Sequence, residues 1–192
     1  SGVGNQLRGA VIRLNADGTL DSSFSIGSFL VDAWAVALQP DGRVLVGGVS
    51  HHETGETGYG MPRVFRFNAD GTRDFSYSSP HFAAVPRFMT LQPDGRLLVV
   101  PSSNTSANGG IPVMARLNAD GSLDSTFTQP TINAGGFIFV PPVVDAAGNI
   151  YIGGVFTTIN GVGRPSVARL LASGALDTAW APSGFTLVGN AQ

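Results

Sequence analysis

The chain has 192 residues, 13 acidic against 11 basic ones, no cysteine, and every basic residue is arginine. Without lysine or any polybasic run, the net charge of −2 gives nucleic acid and anionic lipid no electrostatic footprint, and the missing thiols exclude disulfides, thiolate metal sites and cysteine nucleophiles. A hydrophobic fraction of 43% beside 26 glycines and 12 prolines points to a turn-rich β protein.

In chain order, the first distinctive element is RLNADGTLD, Arg13 to Asp21; it returns as RFNADGTRD from Arg66, RLNADGSLD from Arg116 and RLLASGALD from Arg169, at spacings of 53, 50 and 53 residues. A second element keeps the same period: LQPDGRVLVGG from Leu38, LQPDGRLLVVP from Leu91 and VDAAGNIYIGG from Val144. A period near fifty is the mark of blades, solenoid turns or arrays. Both elements read as tight antiparallel hairpins. Pro40 presets the first turn dihedral of Gln39-Pro40-Asp41-Gly42, Gly42 takes the left-handed position of a G1 bulge, and Asn15-Ala16-Asp17-Gly18 follows the same plan with Asn15 as the Asx acceptor.

The first complete unit then predicts four strands, about Val31–Gln39, Arg43–Ser50, Pro62–Asn68 and Thr72–Tyr77. No helical periodicity is found. The fold class predicted is all-β: a β-propeller, whole or partial, of four-stranded antiparallel blades, with about 3.5–4 repeats in a single repeat domain over 1–192. Its blades span about 31–77, 84–127 and 137–180, with a partial one at 1–24 and another begun or completed by 184–192. Closure then needs the two ends to meet in a small ring, a second chain, or a longer array; partner-assisted assembly or an array ranks above the lone ring. No apolar run is long enough for a membrane span; the longest, Phe137 to Val144, is broken by Pro141 and Pro142. The first residues, SGVGNQ, lack Met and a signal-like core, which reads as a processed or excised piece.

The hairpin register sets Arg13 opposite Asp21, Arg66 opposite Asp74, Arg116 opposite Asp124 and Arg169 opposite Asp177; these are expected to be structural ion pairs between covered sheet faces. The recurring aromatic, Phe24, Tyr77, Phe127 and Trp180, is expected in the inter-blade core. Binding is expected on the loop face, where loops vary while the turns repeat, and the candidates are Trp34, His51, His52, Tyr59, His81 and Arg87. Trp34 stands out because its counterparts are Arg87 and Val140. His51, His52, Glu53 and His81 offer the donors of a divalent-metal site, and the Asx turns resemble calcium loops. The expectation is no metal, no cofactor and no catalytic residue, since the last turn loses its ligands at Leu171 and Ser173, and neither HExxH, GxSxG nor a Walker loop occurs.

RLNADGTLDSSF followed by VALQPDGRVLVGG, in tandem at about fifty residues, resembles the bacterial delta-sixty repeat family of predicted β-propellers, and Gly47-Gly48 and Gly153-Gly154 are similar to the glycine doublets of kelch blades. Val100-Pro101 departs from the doublet, and the kelch Tyr and Trp positions are not kept. The resemblance implies a secreted or cell-surface bacterial repeat scaffold and carries no catalytic residues. The function expected is a non-enzymatic extracellular module for assembly or binding. Its partners would be protein, itself or neighbouring domains of a longer chain, or glycan, and self-association into a surface structure or filament is one version. The alternative is a metal-assisted hydrolase or lyase acting on polysaccharide.

Overall fold

The computed structural model describes residues 11–27, 29–50, 60–102 and 113–181. Each QPDG-type turn is a hairpin of the expected kind. The Gly42 amide donates to the Gln39 carbonyl at 3.0 Å, the Gln39 amide to the Arg43 carbonyl at 2.8 Å, and Gly42 has φ +83°. Such a turn joins β1 (Leu30–Leu38) to β2 (Val44–Ser50), and β3 (Arg63–Phe67) adds to β2 in the order β1-β2-β3. The second blade repeats this with β4 (Pro86–Leu91), β5 (Leu97–Pro101) and β6 (Ala115–Leu117). In the third, Pro141-Pro142 breaks the first strand into β7 (Phe137–Ile138) and β8 (Val143–Val144), both paired with β9 (Ile150–Val155), which also pairs with β12 (Val167–Leu170). A proline cannot donate to a ladder, so two in succession interrupt it.

The fourth strand of each blade is shorter than the sequence suggests. Thr72–Tyr77 contributes a single bridge, Phe67 to Arg73, and its counterparts are Leu117 to Leu123 and Leu170 to Leu176; the N-terminal hairpin likewise has one bridge, Leu14 to Leu20. The reason lies one residue further on, where Asp21, Asp74, Asp124 and Asp177 turn their carboxylates back onto the following amides instead of continuing the ladder. A second difference is at Thr157–Gly163, read from sequence as a variable loop. It holds β10 (Thr158–Ile159) and β11 (Val162–Gly163), joined through Asn160 (φ 51°) and Gly161 (φ 76°). Two positive φ values make a type I′ turn, for which Asn-Gly is the preferred pair. The stretches 1–10 and 184–192 of the predicted partial blades lie outside the described residues, and among those described no helix is long and apolar enough to cross a membrane.

The cores lie between successive units. Phe24 and Ile26 of the N-terminal hairpin pack on Val44, Val46, Phe65 and Phe67; Leu45, Val64, Tyr77 and Phe82 pack on Leu97, Val99, Ala115 and Leu117; Leu98, Val100, Met114 and Phe127 pack on Ile150, Ile152, Ala168 and Leu170. The glycine of the NADG-type turn receives the aromatic of the unit before it at two junctions, Gly121 under Tyr77 and Gly174 under Phe127, while Gly71 lies under the Ser25 backbone; a methyl group on Gly121 would lie 2.8 Å from the Tyr77 ring. Tyr77 is buried there, its hydroxyl finding no hydrogen-bond partner among the described residues, where other units use Phe24 and Phe127. Tyr77→Phe is therefore expected to raise stability by about 1 kcal/mol in a denaturant titration. A loss of similar size would contradict the packing described.

Candidate functional site

The repeated charged pairs come first, because they hold the strands that carry the rest. Arg66 Nε donates to Asp74 Oδ2 at 2.8 Å, a buried guanidinium on a half-buried carboxylate, and Arg116 Nε to Asp124 Oδ2 at 2.7 Å, both side chains buried; Arg13 to Asp21 and Arg169 to Asp177 repeat the bond at 2.8 Å with more exposed arginines. Each of the first three guanidiniums also crosses to the next unit. Arg13 donates to the Ala69 carbonyl at 2.6 Å, Arg66 to that of Ala119 at 2.8 Å and Arg116 to that of Ala172 at 2.5 Å. The same guanidiniums lie over the rings of Phe24, Tyr77 and Phe127 at 4.8, 4.7 and 4.7 Å. One residue type thus ties hairpin, aromatic and neighbouring turn together, a combination that a lysine cannot make with a single ammonium.

The carboxylate ends are equally committed. Ser76 donates its hydroxyl to Asp74 at 2.6 Å, which with the Ser76 amide and Arg66 outweighs burial and holds the carboxyl down to about 2; Thr126 acts in the same way on Asp124, also to about 2. Asp17, Asp70 and Asp120 are bound by Thr19, Thr72 and Ser122 in the turns, so Asp17, not Asn15, is the Asx acceptor, and the Asn15 side chain instead donates to Thr19. A second arginine approaches from the first hairpin in blades one and two, Arg43 Nε at 3.9 Å from Asp74 and Arg96 Nε at 3.7 Å from Asp124. Blade three has Asn149 in that place and uses Tyr151 and Asp145 there.

The candidate binding residues sit on the first strands. Register shifts occur between Ala33 and Ala35 of β1 and between Pro86 and Phe88 of β4, so Trp34 and Arg87 are the extra residues of two β-bulges. A bulge re-aims its side chain out of the ladder, and both are exposed, Trp34 at 58%. The glycine doublet serves the same feature, because a Cβ on Gly48 would lie against the Asp32 carbonyl. The Arg87 guanidinium stands over Phe88 at 5.3 Å and over Phe139 of the next blade at 5.5 Å, and Phe139 meets Phe137 at 4.4 Å. The first strands thus expose an indole on β1 and, across blades two and three, a cation stacked on aromatic rings. Phe88, Phe137 and Phe139 escaped sequence reading, where only the change of residue at the bulge position was visible.

Other candidates are dispersed or not described. His81 is half-buried beside Phe82, whose amide donates to the Pro62 carbonyl at 2.8 Å, while His51, His52, Glu53 and Tyr59 lie outside the described residues. Among the described residues no three His, Cys, Asp or Glu side chains gather as metal ligands. A recess of about 530 Å³ opens on the turn rim between blades two and three, lined by Gln92, Asp94, Arg96, Arg116, Asp145 and Ala172. That places the QPDG and NADG turns of neighbouring blades on one rim, away from the variable loops.

The family model described as Domain of unknown function (DUF5122) beta-propeller matches residues 1–24, 39–77, 92–127 and 148–179. Each of the last three segments begins at or just past the first hairpin turn of a blade and runs through its charged pair to the closing aromatic or one residue short of it, so most of the bulged first strands lies between the matches. No curated protein and no solved structure matches the chain.

Two predictions follow from the charged pairs. Arg116→Ala leaves Asp124 buried with only the more distant Arg96, so a loss of about 3 kcal/mol is expected in urea unfolding. Arg13→Ala, at a more open pair, is expected to cost clearly less, and equal losses would contradict the burial difference. Asp74 and Asp124 are depressed on folding, from about 4 in the unfolded chain to about 2. Their contribution is therefore complete above about pH 5 and is lost as pH falls toward about 2. Thr126→Val should move the acid-unfolding midpoint to higher pH, and an unmoved midpoint would contradict the assignment.

Proposed function

The chain belongs to the DUF5122 β-propeller family, and we propose that in it the blades form a non-enzymatic scaffold that binds glycan through the bulged first strands. The observation that carries the reading is the exposed pair of bulge residues, Trp34 and Arg87, the second stacked on Phe88 and Phe139. An exposed indole offers a flat apolar face to a sugar ring, and a guanidinium pairs with a carboxylate on an acidic sugar. The charges repeated in every unit are engaged in bracing the blades, which supports a scaffold in preference to a reaction centre. The tandem pattern of RLNADGTLD and LQPDGRVLVGG supports the finer assignment to delta-sixty repeats, and with it a secreted or cell-surface place in a bacterium.

The test is titration of the 192-residue protein with oligogalacturonate and with a neutral cello-oligosaccharide, followed by tryptophan fluorescence and calorimetry. Binding of the acidic oligomer, weakened about tenfold or more in Trp34→Ala and in Arg87→Ala, is the expected result. Binding of neither sugar, or binding untouched by both substitutions, would overturn the glycan reading.

A further inference from the structure

Successive units join by one repeated set of contacts, and the two end units each expose half of it. At every internal junction the earlier unit supplies an arginine, an aromatic ring and the amide just after that ring. The later unit supplies two carbonyls and the glycine of its NADG-type turn. The arginine bonds run from Arg13 to Ala69, Arg66 to Ala119 and Arg116 to Ala172. The amide bonds run from Ser25 to Asp70 at 3.2 Å, Ser78 to Asp120 at 3.0 Å and Thr128 to Ser173 at 2.7 Å. The glycines Gly71, Gly121 and Gly174 lie so close under the earlier unit that a Cβ on any of them would collide with it.

The N-terminal hairpin has the receiving half, and none of the described residues lies on it as an earlier unit does at the internal junctions. Gly18 keeps the left-handed φ of +83° but has no atom within 4 Å of where its Cβ would be, and no bond to the Ala16 or Asp17 carbonyl from an earlier unit is found among the described residues. Ile12 and Leu14 occupy the places of Phe65 and Phe67. The phenylalanines are no more than 1% exposed under Phe24 and Ile26, whereas Ile12 is 49% and Leu14 56% exposed. The last unit has the donating half. Arg169 meets Asp177 and the Trp180 ring at 5.6 Å, but no turn carbonyl among the described residues, and Trp180 is half-buried where Tyr77 and Phe127 are covered. Among the described residues no hydrogen bond joins the N-terminal hairpin to the last unit.

We propose that the receiving face, Ile12, Leu14 and the Ala16-Asp17-Gly18 turn, docks the Arg169 and Trp180 face of a second copy of this chain, head to tail. The junction repeats the internal ones. Arg169 donates to the Ala16 carbonyl, the Ala181 amide donates to the Asp17 carbonyl, and Trp180 lies over Gly18 and Leu14. Such an interface is heterologous, so it closes into a ring or runs on as a filament instead of stopping at a symmetric dimer. The inference rests on the scaffold reading only for its biological use; the glycan site on β1 and β4 is separate from both end faces.

The test is light scattering of the 192-residue protein over a concentration series, with Leu14→Glu to block the receiving face and Trp180→Glu to block the donating face. Both residues lie at uncovered end faces, and Phe75→Ser, which installs the serine found at Ser22 and Ser125, is the neutral control. The wild type and Phe75→Ser are expected at masses rising through multiples of 19.8 kDa, and each blocked variant at 19.8 kDa. An equimolar mixture of the two blocked variants should form a dimer and nothing larger, because one intact junction remains. That recovery also shows that both variants are folded. A wild type monomeric at all concentrations, blocked variants that assemble like the wild type, or a mixture that stays monomeric would overturn the proposal. None of these results bears on sugar binding, so the two readings fail separately.

Discussion

The rest of the structure depends on an arginine that has four partners at once. In the second unit, Arg66 binds Asp74 across its own hairpin, Ser76 beyond it, the Ala119 carbonyl of the next blade and the face of Tyr77. Burying a guanidinium between two sheets is unfavourable unless its donors are satisfied and its charge is matched. Here a short bent carboxylate, a hydroxyl and a carbonyl meet those needs within one residue repeat. The sheet cannot shift against its neighbour without breaking several of these bonds together, so the orientation between units is set by hydrogen-bond geometry as well as by apolar packing.

This constraint explains why the charged positions recur while the first strands do not. The hairpins at Arg66 and Arg116 face neighbours on both sides and must repeat. The first strands carry less of the junction; bulges leave Trp34 and Arg87 exposed, the break between β7 and β8 does the same for Val140, and the three positions share no residue. The family match follows the same division, covering the braced hairpins and passing over most of the bulged strands. Binding chemistry can then vary from blade to blade on a frame that stays the same.

Much of this was legible in the sequence. Turn chemistry is local: Pro40, Gly42 and Gly18 dictate their hairpins within four residues, and the eight-residue separation of Arg13 and Asp21 then fixes which side chains face. What stayed hidden depends on distance or on one extra residue. The carbonyl of Ala69 is 56 positions from Arg13, and nothing in an alanine announces an acceptor. The bulges leave only the faint signal of a glycine doublet, and the stacking of Arg87 on Phe139 links two blades through a strand that two prolines had broken. The Asn160-Gly161 pair is itself a turn signal, but it sits in a stretch whose length and composition match the variable loops, so the short strands on either side are obscured. The short fourth strands follow from aspartates that bind their own downstream amides, a choice the alternation of side chains does not disclose.

The central claim is that the buried arginine and aspartate act as one coupled brace. A double-mutant cycle in urea with Arg116→Ala, Asp124→Ala and the pair together tests it most directly. The account predicts a coupling of about 2 kcal/mol or more, the second substitution costing far less once the first is in place. Additive losses within about 0.5 kcal/mol would contradict it, and would leave the blades held by apolar packing alone.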